Sequence, residues 1–257
     1  MRKLEVYIEE DGDFVLAGQI QGETWEDARF IYEKSYLENQ SHQPVSISLP
    51  FQEDAFSPFE TRCYFEGLLP EGYTRRCVAG WMHVAEEDYL SVLAGLGNEC
   101  LGAVRICEPG AGGCSPSYKK ISREELLEFA KEGASKSAQF LAKAHLSLTG
   151  ASGKTGLYYD NKDGWYMPFG TAPSTHIVKQ SHVRLSGIVA NEQLCLRTAK
   201  ILGIDVPESF IISVGTGEHI LFATKRFDRL MQEDSRVIDG KKVPFRLQQE
   251  DFAQALG

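Results

Sequence analysis

Two runs of alternating polar and apolar residues open the chain, Lys3 to Ile8 and Phe14 to Ile20, separated by Glu9-Glu10-Asp11-Gly12-Asp13. A period of two marks strands with one buried face, and Asp-Gly suits a tight turn, so the segment predicts a β-hairpin. Val45 to Leu49 reads as a short strand ended by Pro50. Glu86 to Ala94 reads as a helix through the spacing of Tyr89, Leu90, Val92 and Leu93, and Cys100 to Cys107 as a strand in which Val104 and Ile106 flank Arg105.

The stretch EPGAGGCSPS, from Glu108 to Ser117, is rich in Gly, Pro and Ser and nearly free of apolar residues, so a linker over 109–118 is expected between units 1–108 and 119–257. Beyond it, Ser122 and Glu125 form a capping signature ahead of Leu126, Leu127 and Phe129. The pattern then becomes strand, glycine loop, strand. Ala144 to Leu148 leads into Thr149-Gly150-Ala151-Ser152-Gly153-Lys154 and on to a strand at Thr155 to Tyr159. The turn Asn161 to Gly164 leads to a strand at Trp165 to Pro168, and Thr175 to Gln180 predicts another. A helix from Gly187 to Leu202 is closed by Gly203 and kept from resuming by Pro207, and strands follow at Ser209 to Val214 and His219 to Lys225. This order predicts an α+β fold: a mixed α/β N-terminal subdomain, then an antiparallel sheet carrying one main helix.

Composition narrows the function classes. With 257 residues, 42% of them hydrophobic and 25% charged, the chain can bury a sizeable core. No apolar run is long enough to span a bilayer and Met1 to Glu10 build no signal-peptide core, so a cytoplasmic location without membrane association is expected. Cys63, Cys77, Cys100, Cys107, Cys114 and Cys195 show no metal-ligand spacing and read as reduced thiols. A net charge of -9 argues against direct nucleic-acid binding, which needs clustered cations.

Three constellations could carry chemistry. The loop Ser147 to Thr155 places small residues between two strands, where backbone N–H groups can approach phosphate oxygens. Its Gly153-Lys154-Thr155 end imitates a Walker A motif, but that motif needs Gly at position 148, where Leu stands, and a helix afterwards. A plain surface hairpin also fits. Lys179, in the apolar run His176-Ile177-Val178, is placed to neutralise phosphates, with Glu192 on the next helix as its partner; solvated charges at a sheet edge and on a helix face fit as well. Ala223 to Arg229 turns polar after an apolar run and offers Phe227 as a surface for a ring, or else simply ends a strand.

Taken in order, S-x-x-G-A-x-x-K-T, P-S-T-H-I-V-K, N-E-x-x-C-L-x-x-A-K-x-L-G-I-D-V-P, R-F-D-R and R-L-Q-Q-E-D-F-A-Q-A-L-G resemble the HipA family of persister-associated serine/threonine kinase toxins. The front third is similar through F-E-G-L-L-P-E-G (Phe65 to Gly72) and G-N-E-C-L-G-A-V (Gly97 to Val104). The resemblance implies a kinase-like N-lobe that binds ATP with Mg²⁺ through Gly150, Ala151, Ser152, Gly153, Lys154, Thr155, Lys179 and the hinge residues Lys225 and Phe227. Ser147 is then the autophosphorylated serine whose modification ejects the loop, and Glu192 the partner of Lys179. The family often carries Glu where Lys225 stands, and bulkier polar residues at Ser152 and Gly153.

The resemblance also implies partners: a HipB-like DNA-binding antitoxin, and a protein substrate of the aminoacyl-tRNA synthetase class. The family's Asp-x-His-x-x-Asn catalytic loop and metal-binding Asp do not occur before Gly257, so this chain alone is expected to be a truncated, inactive kinase with weak ATP affinity and no catalytic residue or metal ligand of its own. The alternative is a non-catalytic binding module that engages an antitoxin or a kinase partner.

Overall fold

The computed structural model describes residues 1–111, 115–132, 134–150, 152–181, 185–216 and 219–256. The opening hairpin forms as its pattern predicts. Strand β1 (Arg2–Glu10) pairs antiparallel with β2 (Asp13–Gly22), Glu10 opposite Asp13, and Leu4, Val6 and Ile8 point into the core. Asp11 and Gly12 between them have φ of 49° and 89°, the left-handed pair that matches strand twist in a two-residue turn. With β3 (Arg29–Tyr32) and β4 (Val104–Cys107) the sheet runs β3-β2-β1-β4.

The strand expected over Cys100 to Cys107 is therefore only its second half, because Gly102, at φ +71°, turns the chain before Val104. Val45 to Leu49 is not a strand either. Ser46 and Leu49 share one isolated bridge, and Ser46 Oγ accepts from the Ser48 N–H at 3.0 Å, a side-chain turn that competes with extension. Four helices fill the rest of this half: α1 (Lys34–Leu37), α2 (Pro58–Gly67), α3 (Gly72–Met82) and α4 (Tyr89–Leu96). The last starts at Asp88, whose carboxylate accepts from the Ser91 N–H, rather than at Glu86.

The second half is built on six antiparallel strands. They are β5 (Ser117–Lys120), β6 (Lys154–Asp160), β7 (Gly164–Phe169), β8 (His176–Gln180), β9 (Ser209–Val214) and β10 (His219–Lys225), ordered β5-β7-β6-β8-β10-β9. Helix α5 (Arg123–Glu132) begins with the expected capping pair, Glu125 N–H donating to Ser122 Oγ at 3.1 Å and Ser122 N–H to Glu125 at 2.9 Å. The strand expected over Ala144 to Leu148 is replaced by the end of helix α6 (Ala134–Ala144) and an extended segment that leaves the sheet and meets Glu99 in a single parallel bridge at Leu146.

Alternation assigns the sheet faces. Leu157, Val178, Leu221 and Ala223 join Leu126, Phe129 and Phe140 of α5 and α6 in the core. Lys179 and Phe222, directly opposite one another, point to the other face, where α7 (Ile188–Ile201) packs. Gly203, at φ +81°, follows α7 and donates its N–H to Lys200 O, the helix stop its sequence predicts.

The remaining elements fasten the halves together. Strand β11 (Arg229–Leu230) pairs with β14 (Phe245–Arg246), β12 (Val237–Ile238) pairs with β13 (Lys241–Lys242), and α8 (Phe252–Leu256) ends the described chain. Arg246 donates its N–H and Nη1 to Glu9 of β1, Gln248 Nε2 donates to Val45 O, and Glu250 accepts from Ser46 Oγ and the Ile47 N–H. One continuous core runs from Val6 and Phe30 to Phe140 and Val178. Among the described residues no helix is long and apolar enough to cross a membrane.

Candidate functional site

Strands β6 and β8 run in a register that sets Lys154 directly opposite Lys179. Cross-strand partners share a face, so two ammonium groups lie side by side on the α7 face, an arrangement that repels unless an anion intervenes. Glu192 of α7 answers one of them, its Oε1 2.6 Å from Lys179 Nζ. Phe222, the next residue across the sheet, lies beneath with its ring centroid 5.8 Å from the Lys179 amine. Burial, and then the charge of Lys179, lower the Lys154 amine to about 8 against the pull of Glu71 and Glu192. An amine so placed is more fully charged when an anion is near.

The turn that precedes β6 is shaped around this amine. Gly150 has φ +96°, a conformation that favours glycine, and a Cβ there would come within 2.8 Å of Lys154 Nζ and displace that amine. Gly153 is buried, and a Cβ on it would collide with Gln180 Nε2 and press on Ser137 Oγ. Ser152 is exposed, Thr155 of β6 is fully buried on the core face opposite Val178 and so points away from Lys154 and Lys179, and Ala151 lies outside the described residues. Ser147 is fully buried; its Oγ donates to Leu68 O at 2.7 Å and its N–H to Glu99 O at 2.8 Å.

At the far end of β10, Lys225 is exposed, and alternation turns its side chain away from the face that bears Lys179. Its N–H is donated to Glu208 O at 2.8 Å and the Arg226 N–H to Thr175 O at 2.9 Å, which leaves the Lys225 carbonyl for the same cleft. Phe227 is 74% exposed while its neighbours Arg226 and Asp228 are buried, so the turn presents one ring outward between two inward anchors. Three steps along the strand, roughly 10 Å, separate Phe222 from Lys225. The arrangement sets two lysine amines at one end of the sheet and a ring-bearing turn at the other.

The sequence profile of the HipA N-terminal domain matches residues 4–107, and that of the HipA-like C-terminal domain matches residues 146–257. The chain belongs to the HipA family. A Sinorhizobium fredii protein described as a kinase, Y4mE, is 30% identical over 253 residues, covering 94% of this chain and 57% of its own length. The serine/threonine-protein kinase toxin HipA of Shewanella oneidensis is 27% identical over 219 residues, covering 85% of this chain and 48% of its own. A solved complex of Shewanella oneidensis HipA with HipB and its operator DNA aligns with a TM-score of 0.74 at 25% identity, over 98% of this chain and 56% of that one. This HipA-family chain thus spans about half the length of the curated relatives it matches.

Several residues around the lysine pair and its turn carry no motif of their own in the sequence. Glu71 acts on Lys154 from the F-E-G-L-L-P-E-G segment, Glu99 holds the Ser147 main chain from G-N-E-C-L-G-A-V, and Ser137 and Gln180 back Gly153. For Glu99 the signal was an acidic residue inside a largely apolar motif, which burial tolerates only when it is paired; Glu71 is exposed and carried no such signal.

Proposed function

We propose that this chain is the ATP-gripping portion of a HipA-type serine/threonine kinase. The triphosphate sits against the turn at Gly150 to Thr155 and the amines of Lys154 and Lys179, with Glu192 orienting the second. The adenine faces the main chain from Lys225 and the ring of Phe227. The carrying observation is the opposed pair Lys154 and Lys179, whose repulsion a polyphosphate would relieve. The groups present fit such a ligand: two cations, a glycine turn whose space the Lys154 amine uses, and an exposed ring beyond. The Walker alternative is disfavoured because strand β6, not a helix, follows the turn.

In the whole protein, by this reading, ATP arrives with Mg²⁺ and its terminal phosphoryl group passes to a serine or threonine of a protein substrate, a translation factor such as an aminoacyl-tRNA synthetase. A HipB-like antitoxin is the proposed partner, in line with the similar Shewanella oneidensis complex. Ser147 is the proposed regulatory site. Its hydroxyl faces a carbonyl in a fully buried position, so a phosphate there requires the segment to leave its seat.

Calorimetric titration with ATP and with adenosine tests the reading. The unaltered chain should bind ATP weakly, and Lys154→Ala and Lys179→Ala should each cut ATP affinity roughly tenfold while leaving adenosine unchanged. Abolition by Lys154→Ala with no effect of Lys179→Ala would favour the Walker alternative. Indifference to both changes would remove the phosphate seat.

A further inference from the structure

Glu99 belongs neither to the lysine pair nor to the turn at Phe227, yet it touches the support of both. Its carboxylate is buried and accepts from the Ser174 N–H at 2.7 Å, Ser174 Oγ at 3.0 Å and Arg229 Nη2 at 3.0 Å, with Arg226 Nη1 3.6 Å away. Arg226 and Arg229 are the side chains that fix the turn from within. Arg226 Nε and Nη2 hold Asp228 at 2.8 and 2.5 Å, and Arg229 Nη1 donates to Gly102 O and to Asp228 Oδ2, both at 2.9 Å. The Gly102 N–H donates to the same Asp228 oxygen. Phe227 is thereby displayed by a cage whose far wall is the N-terminal subdomain.

The main chain of Glu99 faces the other way. Its carbonyl accepts the Ser147 N–H at 2.8 Å and its own N–H donates to His145 O at 3.2 Å, which ties down the segment entering the phosphate turn. One residue of the N-terminal subdomain therefore meets the base-facing side through its side chain and the phosphate-facing side through its backbone.

We propose that Glu99 is a positioning residue for the nucleotide cleft, fixing the register between the turn that displays Phe227 and the segment that carries Ser147, so that the N-terminal subdomain is a working part of nucleotide binding. The proposal rests on the nucleotide reading above. A purely structural ion cluster would stabilise the fold as a whole; a positioning residue holds one turn. The two differ in where its loss is felt.

Amide hydrogen exchange of the full chain, without nucleotide, separates them. Glu99→Gln keeps the size and the backbone bonds but removes the charge. It should speed exchange at 224–230 and at Gly102 by roughly tenfold, leave the β1–β2 hairpin and the 146–148 segment at their original rates, and weaken adenosine binding by a similar factor. Ser174→Ala, which removes a donor to Glu99 and an acceptor for Arg226 Nη1 and leaves the charges in place, should loosen the same amides by roughly severalfold and serves if Glu99→Gln does not fold. Unchanged exchange at 224–230, or a uniform rise along the chain, would overturn the proposal. Failure of the unaltered chain to bind any adenine nucleotide, with the local loosening intact, would instead sink the nucleotide reading alone.

Discussion

Gly150 shows how much of the site is decided by single residues. Its φ of +96° is open to glycine, and its missing Cβ leaves the space that the Lys154 amine occupies. Gly150→Ala should cost about 1–2 kcal/mol of stability through the strained backbone. It should also displace the amine and weaken ATP binding roughly severalfold, with adenosine unaffected, since one charge-assisted contact is disturbed and the hinge is not. Chemical denaturation alongside parallel ATP and adenosine titrations checks both parts, and an unchanged ATP affinity would contradict the packing. The sequence exposed Lys154, Lys179 and Glu192 as candidates, each with an ordinary surface reading beside it. Strand register joins the two lysines, and register is a property of the sheet that no local pattern displays.

Strands and helices were legible where their signals are local. The Asp-Gly hairpin, the capping pair at Ser122 and the glycine stop at Gly203 depend on residues within one turn of each other, and all three form. Helix α2 carried an equally local signal in Ser57-Pro58-Phe59-Glu60, which forms a complete capping box, but its weak apolar periodicity hid it from a reading led by pattern. The extended run after Ala144 looked like a strand because Leu146 and Leu148 alternate; it is buried through contact with Glu99 and Leu68, partners distant in sequence.

His176 of β8 brings a pH dependence at this scale. It lies among Tyr159, Trp165 and Phe210, and burial, followed by the charge of Lys225, lowers its pKa from 6.5 to about 4. The unfolded chain therefore binds a proton near 6.5 that the folded chain refuses until about 4, so stability is full above this window and is lost as pH falls through it. The loss is on the order of 3 kcal/mol at most. Denaturation midpoints between pH 7 and 4 should decline less steeply in a His176→Gln variant than in the parent, and parallel declines would contradict this account.

At the scale of the molecule, the halves separated by the Gly/Pro-rich stretch share one core and are laced by polar contacts. The R-L-Q-Q-E-D run supplies Arg246 to Glu9, Gln248 to Val45 and Glu250 to Ser46. As sequence it carried a family resemblance without a physical role, because its partners lie some two hundred residues away. Fold class and family were legible from the order of several motifs; the support that the first half gives the second required coordinates.

If Lys154 and Lys179 form the proposed seat for phosphate, the titration of the Lys154 amine reports on it. Side-chain nitrogen resonances of Lys154, followed from pH 6 to 11 with and without ATP, should show the free amine titrating near 8 and moving upward when ATP is present, because bound phosphate favours the charged form. A Lys154 amine that titrates near the ordinary 10.5 and ignores ATP would contradict the account.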